Sequence, residues 1–102
     1  MWKTKLIRDR KYLDSYRAAA CYACGAHDGT VVGAHIRAGF FGLGVKPGDD
    51  MTLPLCAECH ARQGAGEAAF WGRIYVTKPD EGVALAKTVA RIRYLKWKDK
   101  QK

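Results

Sequence analysis

Apolar and polar positions alternate along this chain in two different periods, and the changes of period mark out its elements. Over 9–20 the apolar residues Leu13, Tyr16 and Ala20 recur at helical spacing behind Asp9, a good N-cap, so a helix is predicted there. Gly25 after Cys24 permits a tight turn, and His27-Asp28-Gly29 reads as another. Residues 30–36 are rich in β-branched side chains and predict a strand. The stretch 39–50 holds four glycines and one proline in twelve residues, which makes it a loop. Residues 52–55 predict a short strand, and Pro54 restricts it to an edge or a strand end.

A helix is expected from Cys56, carrying Cys59, His60 and Gln63 on its first turns until Gly64-Ala65-Gly66 breaks it. A second helical piece over 67–75 offers Phe70, Trp71 and Ile74 as its apolar side. The last helix opens at Pro79 with acids in its first turn and lysines at its end, as the helix dipole favours. Leu85, Val89 and Ile92 form one stripe, expected to be core, while Lys87, Arg91, Tyr94 and Lys98 form a basic stripe.

The cysteines add chemistry to this outline. Cys21-x-x-Cys24 and Cys56-x-x-Cys59 are two identical pairs with no thiol left over. That is the spacing of a structural zinc site, and four thiolates make a complete tetrahedral set for Zn²⁺. In order, the elements give zinc knuckle, β-hairpin and helix. The expected fold is therefore α+β, a small zinc-stapled treble clef with additional N- and C-terminal helices, in one domain over 1–102.

At 102 residues the core is small, so a metal staple matters to stability. The formal charge is +8, and it is concentrated at the ends. Residues 1–17 hold six Lys/Arg against two Asp and residues 87–102 seven against one, whereas 18–86 hold five against seven acids. Basic ends around a near-neutral centre suit a polyanion, most simply DNA. No apolar run reaches the length of a membrane span and no signal-peptide pattern opens the sequence, so a cytoplasmic protein without a membrane partner is expected.

Ala34-His35-Ile36-Arg37, the glycine-rich loop, Lys46-Pro47-x-Asp49, and Leu53-Pro54-Leu55-Cys56-x-x-Cys59-His60 together resemble the HNH endonucleases. The similarity is greatest to small prophage-encoded HNH nucleases of the recombination enhancement function type, and it covers residues 11–71. The resemblance implies a general base at His35 and a ligand for a catalytic divalent metal, Mg²⁺ or Mn²⁺, at His60. An imidazole suits the first role because it titrates near working pH, and a metal ion suits phosphodiester hydrolysis because it neutralises the phosphate. It also implies nucleic-acid contacts, which the basic residues Arg37, Lys46, Arg62, Lys87, Arg91 and Lys98 can supply, and a recombination or replication protein that delivers the substrate.

The chain departs from the family in three places. Ala34 and Gly64 stand where many members carry metal ligands, and the sequence contains no Asn. Asp49 or Asp50 can replace the Asn as the acceptor that fixes the hairpin, while Glu67 reaches the site only if the helix runs on past two glycines. Two readings follow: a metal-dependent DNA endonuclease, or a treble-clef module that binds nucleic acid with impaired catalysis. A third is a zinc domain for protein interaction, with Phe40-Phe41 as its apolar patch.

Overall fold

The computed structural model describes residues 7–38 and 47–101; Lys46 and the Phe40-Phe41 pair lie outside the described residues. They form a small α+β structure of a two-stranded hairpin and four helices. Helix α1 (Arg10–Ser15) starts as the sequence requires, with the Asp9 carboxylate accepting the Tyr12 N–H at 3.1 Å. It ends sooner than expected. A single 3-10 turn, Tyr16–Ala18, follows, and Ala19 is already extended. The exit sends Cys21 toward the other thiols and leaves Tyr16 pinned to the hairpin, its hydroxyl 3.0 Å from Thr52 Oγ1.

Strands β1 (Val32–His35) and β2 (Thr52–Leu55) pair antiparallel, with Val32 opposite Leu55 and His35 opposite Thr52. β1 is shorter than the 30–36 expected, but its alternation decides the site. Ala34 and Ile36 point into the core, whereas Gly33 and His35 face the other way and stay partly accessible. Gly33 has no substitute: a Cβ there would come within 2.7 Å of the Tyr16 ring. β2 is buried throughout, and the Pro54 carbonyl accepts the Tyr22 N–H at 2.7 Å, tying the first thiol pair's loop to the sheet.

Helix α2 (Ala57–Ala65) runs through Gly64 and stops only at Gly66, where α3 (Glu67–Tyr75) begins. Helix α4 (Pro79–Lys100) packs against α3. Its buried face matches the expected stripe only at Val89, which packs half-buried against the core. Gly82, Val83, Ala86, Ala90 and Tyr94 are inside, while Leu85 and Ile92 are 41% and 48% exposed. Close approach sets this rotation: a Cβ on Gly82 would lie 2.5 Å from the Gly72 nitrogen, so the small residues of α4 must face α3. Large side chains at those positions would hold the helices apart. The expected basic stripe also loses its aromatic member, because Tyr94 turns inward onto Tyr12.

The main core gathers Val31, Ile36, Leu53, Leu55 and Trp71 with three of the cysteines, and a second cluster joins Tyr12, Tyr16 and Tyr94. Among the described residues, no helix is long and apolar enough to cross a membrane.

Candidate metal cluster and histidine cleft

The four cysteines, 32 positions apart at Cys24 and Cys56, meet in space. Each pair is presented by local structure. Between Cys21 and Cys24 the chain turns tightly, with the Gly25 N–H donating to the Cys21 carbonyl at 2.9 Å and Gly25 itself at φ +78°. Cys56 is the extended residue before α2, and Cys59 lies in that helix's first turn. All four Sγ atoms lie within 4.8 Å of one another, and Cys24 and Cys56 are 3.7 Å apart. A Zn–S bond of about 2.3 Å in a tetrahedron separates sulfurs by about 3.8 Å. The cluster therefore has the donor type, number and spacing to hold a metal ion such as zinc.

The thiols are free, and three of them are buried. Burial pushes the Cys59 thiol up, and its three sulfur neighbours push it further. Cys21 goes the other way, down to about 6, because backbone hydrogen bonds at Cys56, Cys24 and Ala23 outweigh its burial. A bound cation offsets this mutual crowding of sulfurs, and it displaces protons in doing so.

Beside the cluster, His35 from β1 and His60 from α2 line one cleft of about 450 Å³, with Arg37, Gln63, Gly64 and Glu67 around them. The His35 Nε2 atom lies 3.0 Å from Asp49 Oδ1, with both side chains largely buried. Asp49 sits at the far end of the loop that joins the strands, and its other oxygen accepts the Asp9 N–H at 2.7 Å. Burial opposes its charge, but the Asp9 N–H, the His35 ring and Arg8 together hold the carboxyl below the usual carboxylate range. The stabilisation this represents is present above the ordinary carboxylate value and is lost as pH falls through the lower folded one. At neutral pH Asp49 is an acceptor, so the contact suits a proton on His35 Nε2. Of the two aspartates considered for fixing the hairpin, Asp49 takes that place, and Asp50 lies near Arg91.

Comparison with known proteins returns nothing. No family model, curated protein or solved structure matches the chain.

Glu67 is the residue that sequence reasoning undervalued. The break at Gly66 redirects the chain and brings Glu67 back to the cleft wall. There its Oε1 accepts the backbone N–H groups of Arg37 and Ala38 at 3.0 and 2.8 Å. Its Oε2 accepts Gln63 Nε2 at 2.6 Å and the Trp71 indole N–H at 3.0 Å. Gln63 also donates to the His35 carbonyl at 2.9 Å. The carboxylate thus clamps the end of β1 to α2 and α3, and its lone pairs are committed to that task. Its spacing of seven residues from His60 hints at proximity, but nothing in the sequence announces four donors. Glu67→Gln, which sets an NH₂ against some of those donors, is expected to cost about 2 kcal/mol, the scale of a charge-assisted hydrogen bond with partners left unpaired. Urea denaturation at neutral pH measures it, and an unchanged midpoint would contradict the clamp.

Ala34 and Gly64, the two positions where the HNH resemblance lacks a ligand, differ in kind. Ala34 is 1% exposed and faces the core, so a ligand substituted there would enter the interior instead of the cleft. Gly64 lines the cleft, and a Cβ built on it meets nothing within 4 Å.

The described residues expected to contact nucleic acid lie in different surroundings. Arg37 lines the histidine cleft, and Arg62 lines a separate cavity beside Cys24 and Cys59 while pairing with Glu58. On α4, Lys87 is partly buried, Arg91 lies 3.9 Å from Asp50, and Lys98 lies 3.9 Å from Asp9.

Proposed function

We propose that this chain is a metal-dependent DNA endonuclease of the HNH type, built on a zinc-stapled treble clef. The observation that carries the reading is the shared cleft of His35 and His60 beside the four-thiol cluster, with Asp49 orienting the first histidine. A histidine held by a buried carboxylate is positioned and electrostatically supported for taking a proton from water. Structural Zn²⁺ is assigned to Cys21, Cys24, Cys56 and Cys59. For Mg²⁺ or Mn²⁺ the cleft offers His60, since Glu67 is occupied by its four donors. Such a cation, when bound, supplies charge neutralisation at the phosphate and at the leaving 3′ oxygen.

The chain's own groups divide the remaining work. Asp49 keeps Nε2 protonated and the ring oriented, and His35 receives the proton of the attacking water. Arg37, exposed on the cleft rim, attracts the phosphate. Cytoplasmic residence, and a recombination or replication protein that hands over DNA, remain parts of this proposal.

A second reading is a treble-clef module that binds DNA with impaired catalysis, and the cleft's lack of a side chain at Gly64 favours it. Plasmid nicking by the purified protein with Mg²⁺, with Mn²⁺ and with EDTA, beside His35→Ala, separates the two. Metal-dependent nicking lost in the variant supports the enzyme, and no nicking with any metal leaves the binding module.

Under either reading, DNA is held mainly through phosphates. Affinity for a random duplex is expected to fall steeply with salt, each neutralised phosphate adding about 0.9 to the logarithmic slope. Reversing Lys87, Arg91 and Lys98 together should weaken all sequences alike. Binding indifferent to salt would overturn this.

A further inference from the structure

The paired cations of this chain include Arg8, Arg10, Arg62, Arg91 and Lys98, each within ion-pair distance of a carboxylate. Three others behave differently. Arg93, Lys96 and Lys100 converge from the last turns of α4 on a cavity of about 310 Å³, and none of them forms an ion pair among the described residues. Its other walls are Ser15, Ala19 and three aromatic rings: Tyr12 and Tyr16, 2% and 1% exposed, and the half-buried Trp97. No acid lines it. Converging like charges repel, and an anion placed among them relieves that repulsion.

The rings are arranged for a flat ligand. Trp97 is braced by Tyr12 at 5.1 Å and stacked on Tyr94 at 6.3 Å and 26°, which fixes its plane in advance. The Arg93 guanidinium lies 5.6 Å over the Tyr16 ring, so the cation is already held at the cavity wall. A preset aromatic plane beside three cations that form no ion pair among the described residues is the chemistry of a base joined to a phosphate. The volume sits at the lower end of ligand sites, about 300–1,000 Å³, enough for a nucleotide and too small for a duplex.

We infer that the cavity between Tyr16 and Trp97 is a subsite for one nucleotide of a single-stranded nucleic acid, its base against Trp97 and its phosphates on Arg93, Lys96 and Lys100. The site adjoins the histidine cleft, because the Tyr16 ring packs directly on Gly33, which lines that cleft. It stands independently of catalysis: a strand binds there whether or not the cleft cuts.

The test is fluorescence anisotropy with a labelled oligothymidylate of about eight nucleotides, within the range of single-strand sites, beside a duplex of the same length. No divalent metal is added, so absence of nuclease activity leaves the readout intact. Trp97→Ala is expected to weaken single-strand binding by about 5–150-fold, the scale of one stacked base, and to leave duplex binding unchanged. Trp97→Phe keeps a ring and should lose less. Lys96→Glu, on an exposed position, should weaken the oligonucleotide and flatten its salt dependence without touching the fold. Should Trp97→Ala fail to fold by circular dichroism, the Phe and Glu variants carry the test. Equal single-strand affinity in wild type and the folded variants overturns the subsite, as does an equal loss on single strand and duplex. Thymidine monophosphate binding as tightly as the oligonucleotide overturns the strand assignment in favour of a free nucleotide.

Discussion

Cys56→Ser is expected to leave the chain largely unfolded and without zinc. The main core is thin, and Cys21, Cys56 and Cys59 are part of it, so the thiol cluster and the hydrophobic packing are one structure. Cys56 also joins the hairpin to α2: it follows β2 directly and its carbonyl accepts the His60 N–H at 2.9 Å. Because the four ligands are gathered only in the folded state, metal affinity is folding free energy, on the order of 10–16 kcal/mol for structural zinc in small domains. A marginal domain has only about 5–15 kcal/mol in total. Loss of one ligand therefore removes a contribution as large as the whole. Metal analysis of the wild type should find one zinc per chain, and far-UV circular dichroism of the variant should show collapse of the helical signal. A folded wild type with no zinc, or a serine variant with unchanged melting, would refute it.

The two histidines, if the nuclease reading holds, should fail differently when removed. His35→Ala takes away the proton acceptor but leaves His60 in place, so DNA binding survives while the rate falls by about 10²–10⁴-fold, the usual worth of a general base. His60→Ala removes the imidazole assigned to the catalytic metal, and raised Mg²⁺ or Mn²⁺ should restore activity only in part. Asp49→Asn should resemble a milder His35→Ala, because an amide supports the ring's developing charge less well. The structure makes Gly64→His the gain-of-function variant to build. Helix α2 continues through that position, one turn beyond His60, and the added side chain enters open space on the cleft. Ala34→Asp should instead destabilise the protein, since it places a carboxylate in the core. Single-turnover cleavage of a labelled duplex across a metal titration measures the changes in activity, and urea denaturation the loss in Ala34→Asp. Identical defects in both histidine variants, or none in either, would sink the division of roles.

Most of the local structure follows from the sequence itself. The cap at Asp9, the strand at 52–55, the helix over 67–75 and the start of the last helix at Pro79 each depend on residues within a turn or two, so local chemistry settles them. The doubled Cys-x-x-Cys likewise announces its cluster, because the ligand chemistry is written in the spacing. Contacts made at long range are a different matter. Which face of α4 is buried was decided by the Gly72–Gly82 approach; of the apolar stripe only Val89 packs half-buried on the core, while Leu85 and Ile92 stay outside. Pleating put Ala34 inward and His35 outward, which no comparison of residue types along the motif reveals. The clamp at Glu67 needed a helix break and four donors from three segments to come together. The Trp97 cavity required α1 and the end of α4 to meet, although some 80 residues separate them in sequence. Helix and strand starts are encoded by neighbours in the chain; faces, clamps and cavities are encoded by neighbours in space, and only packing chooses those.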